Sequence, residues 1–320
     1  MLYFLLHQIK YILNPNNIKL KFEKYNDDNN SPHISKSLSI YLNKTKGDIS
    51  NYLSNWDIIK RYTNPYEFIH TSLPQLNYSI SKIKPISRAF FKITEIYNTF
   101  NLLDVKKPIT TYHLAEGPGG FIEATAYLRK NKLDKYYGIT LIDKSNINIP
   151  GWRKSEKFLY NNPNVVIEKG ITGDGNIYDE NNFMDCVNRH KNKIDIITGD
   201  GGFDFSNNFN KQEELGYKII FCEIVTALCT QKEGGTFICK IFDSYTHLTI
   251  KFLYLLNNYY ETVYITKPYT SRPANSEKYI VCLNFKQIEE SILNLLLDIV
   301  KNWNNLDTKN ILNFIDLPYI

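Results

Sequence analysis

The most constraining feature of this sequence is an apolar run that ends in a glycine-rich turn and continues directly into a helical segment. The run PITTYHLA predicts a strand, EGPGG a turn and FIEATAYLRK a helix. In open α/β sheets such a turn lies at the carboxyl edge of the strands, where ligands bind. Pro118 removes one amide donor from the turn, which argues against a pyrophosphate-binding loop. The unit predicts a site for a nucleotide-like cofactor, and the alternative is a tight turn without a ligand.

The remainder of the chain extends this unit into a doubly wound α/β sheet. Six further apolar runs predict strands, namely YYGITLID, NVVIEKG, IDIITGD, GGTFICKIF, ETVYITKP and KYIVCLNFK. Helical segments separate most of them, as in a parallel sheet built from βαβ units. The last two runs are joined by a loop without a helix, so we expect a seven-stranded sheet whose last strand is antiparallel.

Outside this sheet the sequence predicts two extensions and few further features. We expect an N-terminal accessory extension over 1–75, a domain over 76–287 that contains the α/β sheet and a C-terminal helical extension over 288–320. The polar run KYNDDNNSPH predicts a flexible connection within the N-terminal extension.

Charge and cysteine content bound the kind of partner and cofactor. The formal charge of +5 favours a polyanionic partner, and the five scattered cysteines lack the spacing of a metal site. The opening MLYFLLHQIKYIL is too short and interrupted to span a membrane and lacks a cleavage site, so we expect a cytoplasmic protein.

Several charged residues follow predicted strands at the same sheet edge. Asp143 is placed to accept from ribose hydroxyls, and Asp174, within Gly-Asp-Gly, to contact an adenine amino group. A solvated loop aspartate and a plain Asp-Gly turn explain the same letters. Asp200 and Lys240 each close an apolar strand, and we expect them to pair because an unpaired buried ammonium is costly.

The motifs SRAFFKITEI, HLAEGPGGF, ITGDGGFDF and GGTFICKIFD, spread over about residues 80 to 285, resemble the FtsJ-like RNA 2'-O-ribose methyltransferases in content and order. Within that family the chain is most similar to the mRNA cap 2'-O-methyltransferases, and we expect relatives in large cytoplasmic DNA viruses. The resemblance implies a Rossmann-like methyltransferase fold, and the antiparallel sheet ending is typical of methyltransferases. It also implies a capped mRNA 5' end as substrate and the capping or transcription machinery as possible partners. A viral member would work in the host cytoplasm or the virion.

The resemblance also implies a cofactor and a set of site residues. The cofactor is S-adenosyl-L-methionine, with no metal. The implied cofactor-binding residues are Glu116, Gly117, Pro118, Gly119, Gly120, Phe121, Asp143, Asp174 and Asp200. The implied catalytic tetrad is Lys92, Asp200, Lys240 and Glu277. Where many members begin the glycine motif with an acidic residue, this chain has His113, and Glu116 follows inside the turn.

The chemistry requires a base that takes the proton of a ribose hydroxyl. We expect Lys240 to act as this base, with its pKa lowered by burial, by Lys92 and by the sulfonium charge. Asp200 would oppose this shift electrostatically but orient the amine by a hydrogen bond, and Glu277 would position Lys92 or the sugar. Five basic residues could hold phosphates, and two tyrosines could stack bases, although solvated surface explains each one alone. These residues are Lys82, Lys84, Arg88, Lys267, Arg272, Tyr264 and Tyr269.

Three other functions are compatible with parts of the sequence. A ribosomal or other RNA 2'-O-methyltransferase would use the same tetrad on a different RNA. A non-catalytic RNA-binding subunit of a capping complex would not need the tetrad. An NAD-dependent oxidoreductase fits the glycine turn, but it leaves the tetrad unexplained and conflicts with Pro118.

Overall fold

The apolar runs form one large sheet in the computed structural model, which describes residues 1–9, 12–24, 34–104, 106–202, 211–304 and 309–315. The strands in chain order are β1 (Leu2–Leu5), β2 (Ile18–Lys24), β3 (Thr110–Leu114), β4 (Lys135–Ile139), β5 (Val165–Glu168), β6 (Ile194–Gly199), β7 (Gln231–Ile241), β8 (Tyr260–Lys267), β9 (Lys278–Phe285) and β10 (Lys309–Ile315). The α-helices are α1 (Lys36–Gly47), α2 (Trp56–Tyr62), α3 (Ala89–Thr99), α4 (Gly120–Arg129), α5 (Glu156–Asn161), α6 (Glu180–His190), α7 (Gln212–Leu215), α8 (Tyr217–Thr230), α9 (His247–Tyr259) and α10 (Glu290–Asn304).

The sheet follows the order β1-β8-β9-β7-β6-β3-β4-β5. Its centre is parallel, because β7, β6, β3, β4 and β5 all run in one direction. Strand β9 lies antiparallel between β7 and β8, which confirms the predicted ending. The sheet has eight strands, one more than the seven predicted. The additional strand is β1, which pairs antiparallel with β8 at the edge, so part of the predicted accessory extension belongs to the sheet.

Helices cover both faces of the sheet, as the alternating pattern predicts for a doubly wound fold. Helices α6, α8, α9 and α10 pack over one face, and α3 and α4 pack over the other. Helix α8 is buried along almost its whole length, which suits its apolar sequence FCEIVTALCT.

The described residues of the C-terminal extension form one helix and one strand, so the prediction of a helical extension is wrong for its second part. Strand β10 pairs antiparallel with β2 in a separate two-stranded sheet. The pair packs on the helices through Phe314, whose ring lies 5.3 Å from that of Phe221 and 5.8 Å from that of Phe252. Pairing with β2 and burial of the Phe314 side chain stabilise this strand. Residues 25–33 of the predicted flexible connection lie outside the described residues.

The register of the parallel strands brings their carboxyl ends to one level. Leu114 of β3 is paired with Ile139 of β4 and with Gly199 of β6, and Gly199 is paired with Cys239 of β7. The segments that follow these residues therefore lie side by side at one edge of the sheet. Among the described helices, none is both long and apolar enough to cross a bilayer.

Candidate active site

Asp200 and Lys240 form an ion pair at this edge, as the sequence predicted. The Lys240 ammonium donates to the Asp200 carbonyl oxygen at 2.7 Å, and its Nζ lies 3.2 Å from Asp200 Oδ1. The backbone amide of Asp200 donates to the carbonyl of Leu114 at 3.2 Å, which ties the residue to the end of β3. The Tyr279 hydroxyl, opposite Lys240 on β9, donates to Asp200 Oδ1 at 3.3 Å.

Lys92 and Glu277 form a second ion pair between α3 and the start of β9. Lys92 Nζ lies 2.7 Å from Glu277 Oε1 and 2.8 Å from Oε2, and the Ser271 hydroxyl donates to Oε1 at 2.7 Å. Burial disfavours ionisation of Glu277, but Lys92 and Lys240 outweigh it and lower the pKa of this carboxyl to about 2. The side chains of the two pairs are 11% to 17% exposed, so all four charges lie in a largely enclosed site.

The charge state of Lys240 differs from the sequence-based expectation. Burial lowers the pKa of Lys240, but the carboxylates of Asp200 and Glu277 outweigh this effect, and the pKa lies above its ordinary value of 10.5. The expectation of a lowered pKa is therefore wrong for the protein alone, because the opposing effect of Asp200 is joined by that of Glu277 and together they outweigh burial.

The glycine turn between β3 and α4 forms a closely packed cradle. Gly119 has a φ of +113°, which favours glycine, and its amide donates to the Glu116 carbonyl at 2.8 Å. A Cβ atom on Gly117 would lie 2.8 Å from the Gly151 carbonyl oxygen, so no larger residue fits there. Pro118 accepts a hydrogen bond from the Ser155 hydroxyl through its carbonyl. The Phe121 ring is fully buried 6.0 Å from that of Tyr279, so its side chain belongs to the core.

Glu116 is a buried carboxyl group inside the turn. Its Oε1 accepts the backbone amide of Phe121 in the first turn of α4, whereas Oε2 is buried and has no hydrogen-bond partner among the described residues. Burial raises the pKa of Glu116 well above its ordinary value. The indole Nε1 of Trp152, a residue that packs beside Gly119, is also buried without a partner among them. Buried polar atoms are usually hydrogen-bonded, so both indicate a place where a ligand binds.

Asp143 and Asp174 lie in neighbouring loops at the same edge. The amide of Ile142 donates to the Asp174 carbonyl at 2.7 Å and joins the two loops. The Asp143 carboxylate accepts the Ser145 amide at 2.8 Å and its hydroxyl at 2.6 Å. Asp174 Oδ1 accepts the Thr172 hydroxyl at 2.6 Å and the Asn176 amide at 3.0 Å, and the contacts of Asp143 with Ser145 likewise end on its Oδ1. Both carboxylates are thus held in local turns beside the cradle.

His113 takes no part in this cradle. It is fully buried in β3, where Nδ1 lies 2.8 Å from the Thr198 hydroxyl and Nε2 lies 2.9 Å from the Thr111 hydroxyl. Burial lowers the pKa of His113 to about 3, so the ring is neutral. The acidic group of the turn in this chain is Glu116.

The structure assigns most of the predicted phosphate-binding and base-stacking residues to other contacts. Arg88 and Arg272 both bind the buried Glu67, with Arg88 Nη1 at 2.9 Å and Arg272 Nη2 at 2.7 Å from its oxygens. Lys267 donates to the carbonyl oxygens of Asn275 and Glu277, each at 2.8 Å. The positive charges of these residues are thus engaged by protein oxygens that hold the 268–277 loop in place, and their role in phosphate binding stays a prediction.

The two predicted stacking tyrosines are also engaged. The Tyr264 ring packs 5.0 Å from Phe100 and 5.8 Å from Tyr3, and it is part of the core. The Tyr269 ring is stacked on Tyr66 at 6.0 Å and is about half exposed. Tyr269 remains accessible to a base, and Lys82 and Lys84 are exposed.

Two buried glutamates near the site were missed by sequence analysis. Glu67 anchors the N-terminal segment to the 268–277 loop, and its pKa is lowered because Arg272 and Arg88 outweigh its burial. Glu223 lies inside α8 behind Asp200. The signal for Glu223 was a single carboxylate within an otherwise apolar helical run. Residues 203–205 of the DGGFDF motif lie outside the described residues.

The arrangement combines an amine that can act as a base with a neighbouring ligand cradle. Two lysines and two carboxylates lie close enough to interact electrostatically at the carboxyl edge, and Asp200 also interacts with Glu116 of the glycine turn. In the parts of the chain that the structure describes, no group of three or more His, Cys, Asp or Glu side chains is placed to hold a metal ion.

Comparison with known proteins identifies similar sequences. The profile of the FtsJ-like methyltransferases matches residues 85–285. Cap-specific mRNA (nucleoside-2'-O-)-methyltransferase 1 of Dictyostelium discoideum is 31% identical over 278 residues, which cover 79% of this chain and 35% of that protein. The Caenorhabditis elegans protein of the same name is 28% identical and covers 80% of this chain and 30% of its own length. The chain thus spans about a third of the length of these relatives.

A viral relative is closer in size. The cap-specific mRNA (nucleoside-2'-O-)-methyltransferase of Autographa californica nuclear polyhedrosis virus is 33% identical over 199 residues. The match covers 62% of this chain and 71% of that protein.

Proposed function

Because the chain belongs to the FtsJ-like methyltransferase family, we propose that it transfers a methyl group from S-adenosylmethionine to a ribose 2'-hydroxyl of RNA, at the capped 5' end of mRNA. The observation that carries the proposal is the convergence of the Asp200–Lys240 and Lys92–Glu277 ion pairs beside the glycine cradle. Two lysines and two carboxylates in this arrangement can transfer and orient protons during a reaction. A protein that only binds RNA does not require them.

The cradle residues fit a methyl donor with a nucleoside part. Glu116 Oε2 and Trp152 Nε1 are buried polar atoms without a hydrogen-bond partner among the described residues. A ligand can approach the backbone of the cradle closely because Gly117 and Gly119 have no side chains. Asp143 and Asp174 offer carboxylates in the adjacent loops. When bound, S-adenosylmethionine supplies a methyl group on a positively charged sulfur.

In the proposed reaction Lys240 takes the proton of the ribose hydroxyl. The amine must first lose its own proton, which the raised pKa of Lys240 makes unfavourable at neutral pH. Asp200 orients the amine of Lys240 through two contacts, and Glu277 holds the amine of Lys92 in the neighbouring ion pair. Orientation of the hydroxyl and the amine contributes much of the rate.

The choice of capped mRNA rests on the relatives. Both the Dictyostelium and the baculovirus relatives carry the name cap-specific mRNA methyltransferase, and the second has 71% of its length matched. A viral origin and an action in the cytoplasm, in the host cytoplasm or the virion, belong to the same proposal, as does association with the capping or transcription machinery.

The proposal is tested by transfer of labelled methyl from S-adenosylmethionine to short RNAs. The RNAs carry a cap, no cap, or a cap followed by a 2'-deoxy first nucleotide. We expect label on the capped RNA alone and its loss in Lys240→Ala. Lys135→Ala is the matched control, because Lys135 is an exposed lysine at the other end of a strand.

Each other result of this methyl-transfer experiment would support a different function. Label that does not depend on the cap would indicate a ribosomal or other RNA substrate. Label that persists on the 2'-deoxy RNA would indicate a different position on the RNA. No label from folded protein that binds S-adenosylhomocysteine in calorimetry would reject catalysis by this chain alone and favour a non-catalytic subunit.

A further inference from the structure

Glu223 is a fully buried carboxyl group on α8, directly behind the Asp200–Lys240 pair. Its neighbours along the helix, from Phe221 to Val225, are buried as well. A carboxyl group in such surroundings requires hydrogen-bond partners to be tolerated.

The two oxygens of Glu223 contact two different strand ends. Oε1 accepts the backbone amide of Gly201 at 2.9 Å, and Oε2 lies 3.3 Å from the Cys239 sulfur, which is within hydrogen-bond range. Gly201 directly follows Asp200, and Cys239 directly precedes Lys240. One side chain therefore bridges the immediate neighbours of both members of the ion pair.

The glycines on either side of Asp200 make room for this carboxyl group. A Cβ atom on Gly199 would lie 2.6 Å from Glu223 Cδ, and a Cβ atom on Gly201 would lie 2.6 Å from Oε1. Real Cβ atoms do not approach other atoms so closely, so any side chain at either position would displace Glu223. The glutamate and the two glycines fit together as one unit.

Glu223 also interacts electrostatically with the site. Burial raises the pKa of Glu223 to about 8, and Asp200 raises it too, while Cys239, Lys240 and the Gly201 amide oppose the shift. The other titratable groups that face it are Cys222 on α8 and Tyr178, which precedes α6. Near neutral pH the carboxyl is largely protonated and bridges the two strands without adding a third negative charge. At higher pH it ionises, which favours the ammonium form of Lys240.

We propose that Glu223 is a positioning residue that holds the ends of β6 and β7 together, so that Lys240 stays in contact with Asp200. The inference rests on the proposed function for its catalytic meaning, since Lys240 acts as the base there. A purely structural role would affect stability and leave the Asp200–Lys240 contact unchanged.

The proposal is tested on the pKa of the Lys240 amine, measured by competitive acetylation with acetic anhydride across pH and mass spectrometry. Glu223→Leu removes both bridging contacts at similar volume. We expect the pKa of Lys240 to fall by about one unit, because the amine loses its fixed contact with Asp200. Asp200→Asn should lower it similarly, and the double variant should fall by little more than either single one. Glu168→Leu, which removes a buried glutamate elsewhere in the fold, should leave it unchanged.

A kinetic measurement accompanies this titration. We expect Glu223→Leu to lower kcat by about 30-fold while the affinity for S-adenosylhomocysteine stays within about threefold of wild type. Glu223→Gln keeps an acceptor for Gly201 and a group that contacts Cys239, so we expect kcat within about threefold of wild type at about pH 7. It also removes a carboxylate near Lys240, so the pKa of the Lys240 amine should fall by about half a unit.

An unchanged pKa of Lys240 in folded Glu223→Leu overturns the proposal. If melting experiments find that variant unfolded, Glu223→Gln decides, because it keeps both contacts, and a loss of kcat as large as in Lys240→Ala overturns the proposal. The acetylation readout does not depend on methyl transfer. Failure of the proposed function would be recognised separately, as absence of label with wild-type protein on every RNA.

Discussion

Lys240 touches Asp200 twice, through the carbonyl oxygen at 2.7 Å and through Oδ1 at 3.2 Å. The first contact ties the amine of Lys240 to the backbone of Asp200, and the second brings the Asp200 carboxylate close enough to stabilise the protonated amine. The contact with Asp200 therefore holds the amine of Lys240 in position and, at the same time, disfavours the neutral amine that would act as the base. The first prediction follows from this opposition.

The rate of methyl transfer should rise with pH. The pKa of Lys240 is raised above 10.5, so the neutral amine is a small fraction at neutral pH and grows with pH. We expect the single-turnover rate to increase about tenfold per unit between about pH 6.5 and 8.5. Asp200→Asn removes the stabilising carboxylate, so its profile should level off at lower pH. A rate that is independent of pH in wild type would exclude Lys240 as the base.

Lys92 and Glu277 should act as a unit. We expect Lys92→Met and Glu277→Gln each to lower kcat by about 100-fold. Because each removes the same ion pair, the double variant should lose little more than either single one. The measurement is kcat for all four proteins at saturating substrates. Multiplicative losses in the double variant would contradict the idea that Glu277 works through Lys92.

Glu116 should bind the methyl donor as a neutral carboxyl group. Burial raises the pKa of Glu116 well above its ordinary value, which favours the protonated form, and Gln is a close substitute for that form. We expect Glu116→Gln to bind S-adenosylhomocysteine within about threefold of wild type and Glu116→Ala to bind about 30-fold more weakly, by calorimetry. Wild-type affinity in Glu116→Ala would mean that Oε2 makes no contact with the ligand.

His113 should make stability sensitive to mild acid. Burial lowers the pKa of His113 in the folded protein to about 3, below its ordinary value of 6.5. Below pH 6.5 the imidazole of His113 is therefore protonated in the unfolded chain but stays neutral in the folded protein. The free energy of unfolding consequently falls as the pH decreases from 6.5 toward 3. Between pH 6.5 and 5 this contributes about 2 kcal/mol to the loss of unfolding free energy.

Urea unfolding at about pH 7.5 and 5 checks this expectation. His113→Asn keeps polar contacts to Thr111 and Thr198 without a titrating ring, so its loss between the two pH values should be smaller by that amount. An equal loss in the two proteins would contradict a neutral buried imidazole.

Sequence patterns predicted the parts of the site that depend on strand periodicity. Asp200 and Lys240 each end an apolar run, and parallel strands end at one edge, so their proximity follows from the topology. The partners of Arg88 and Arg272 could not be predicted in the same way. Their common partner Glu67 lies 21 and 205 positions away, and no local pattern connects the three. The charges of these residues could therefore be read from the sequence, whereas their contacts could not.

Two of the three strands that were not predicted, β1 and β10, have a similar explanation, and the third is β2, the partner of β10. Strand β1 contains four apolar residues, LYFL, that are all exposed, so the alternation that marks a half-buried strand is absent. Strand β10 has a short apolar pattern, NILNFI, that periodicity cannot distinguish from a helical turn. In both cases the partner strand determines the structure, and that partner is far away in the sequence.

The position of β1 has a consequence for folding during synthesis. Leu2 accepts a hydrogen bond from Thr266, 264 positions later in the chain. A ribosome therefore completes nearly the whole catalytic sheet before β1 meets the strand that it joins. Until then the nascent chain displays an unpaired apolar segment that can bind chaperones or associate with other chains.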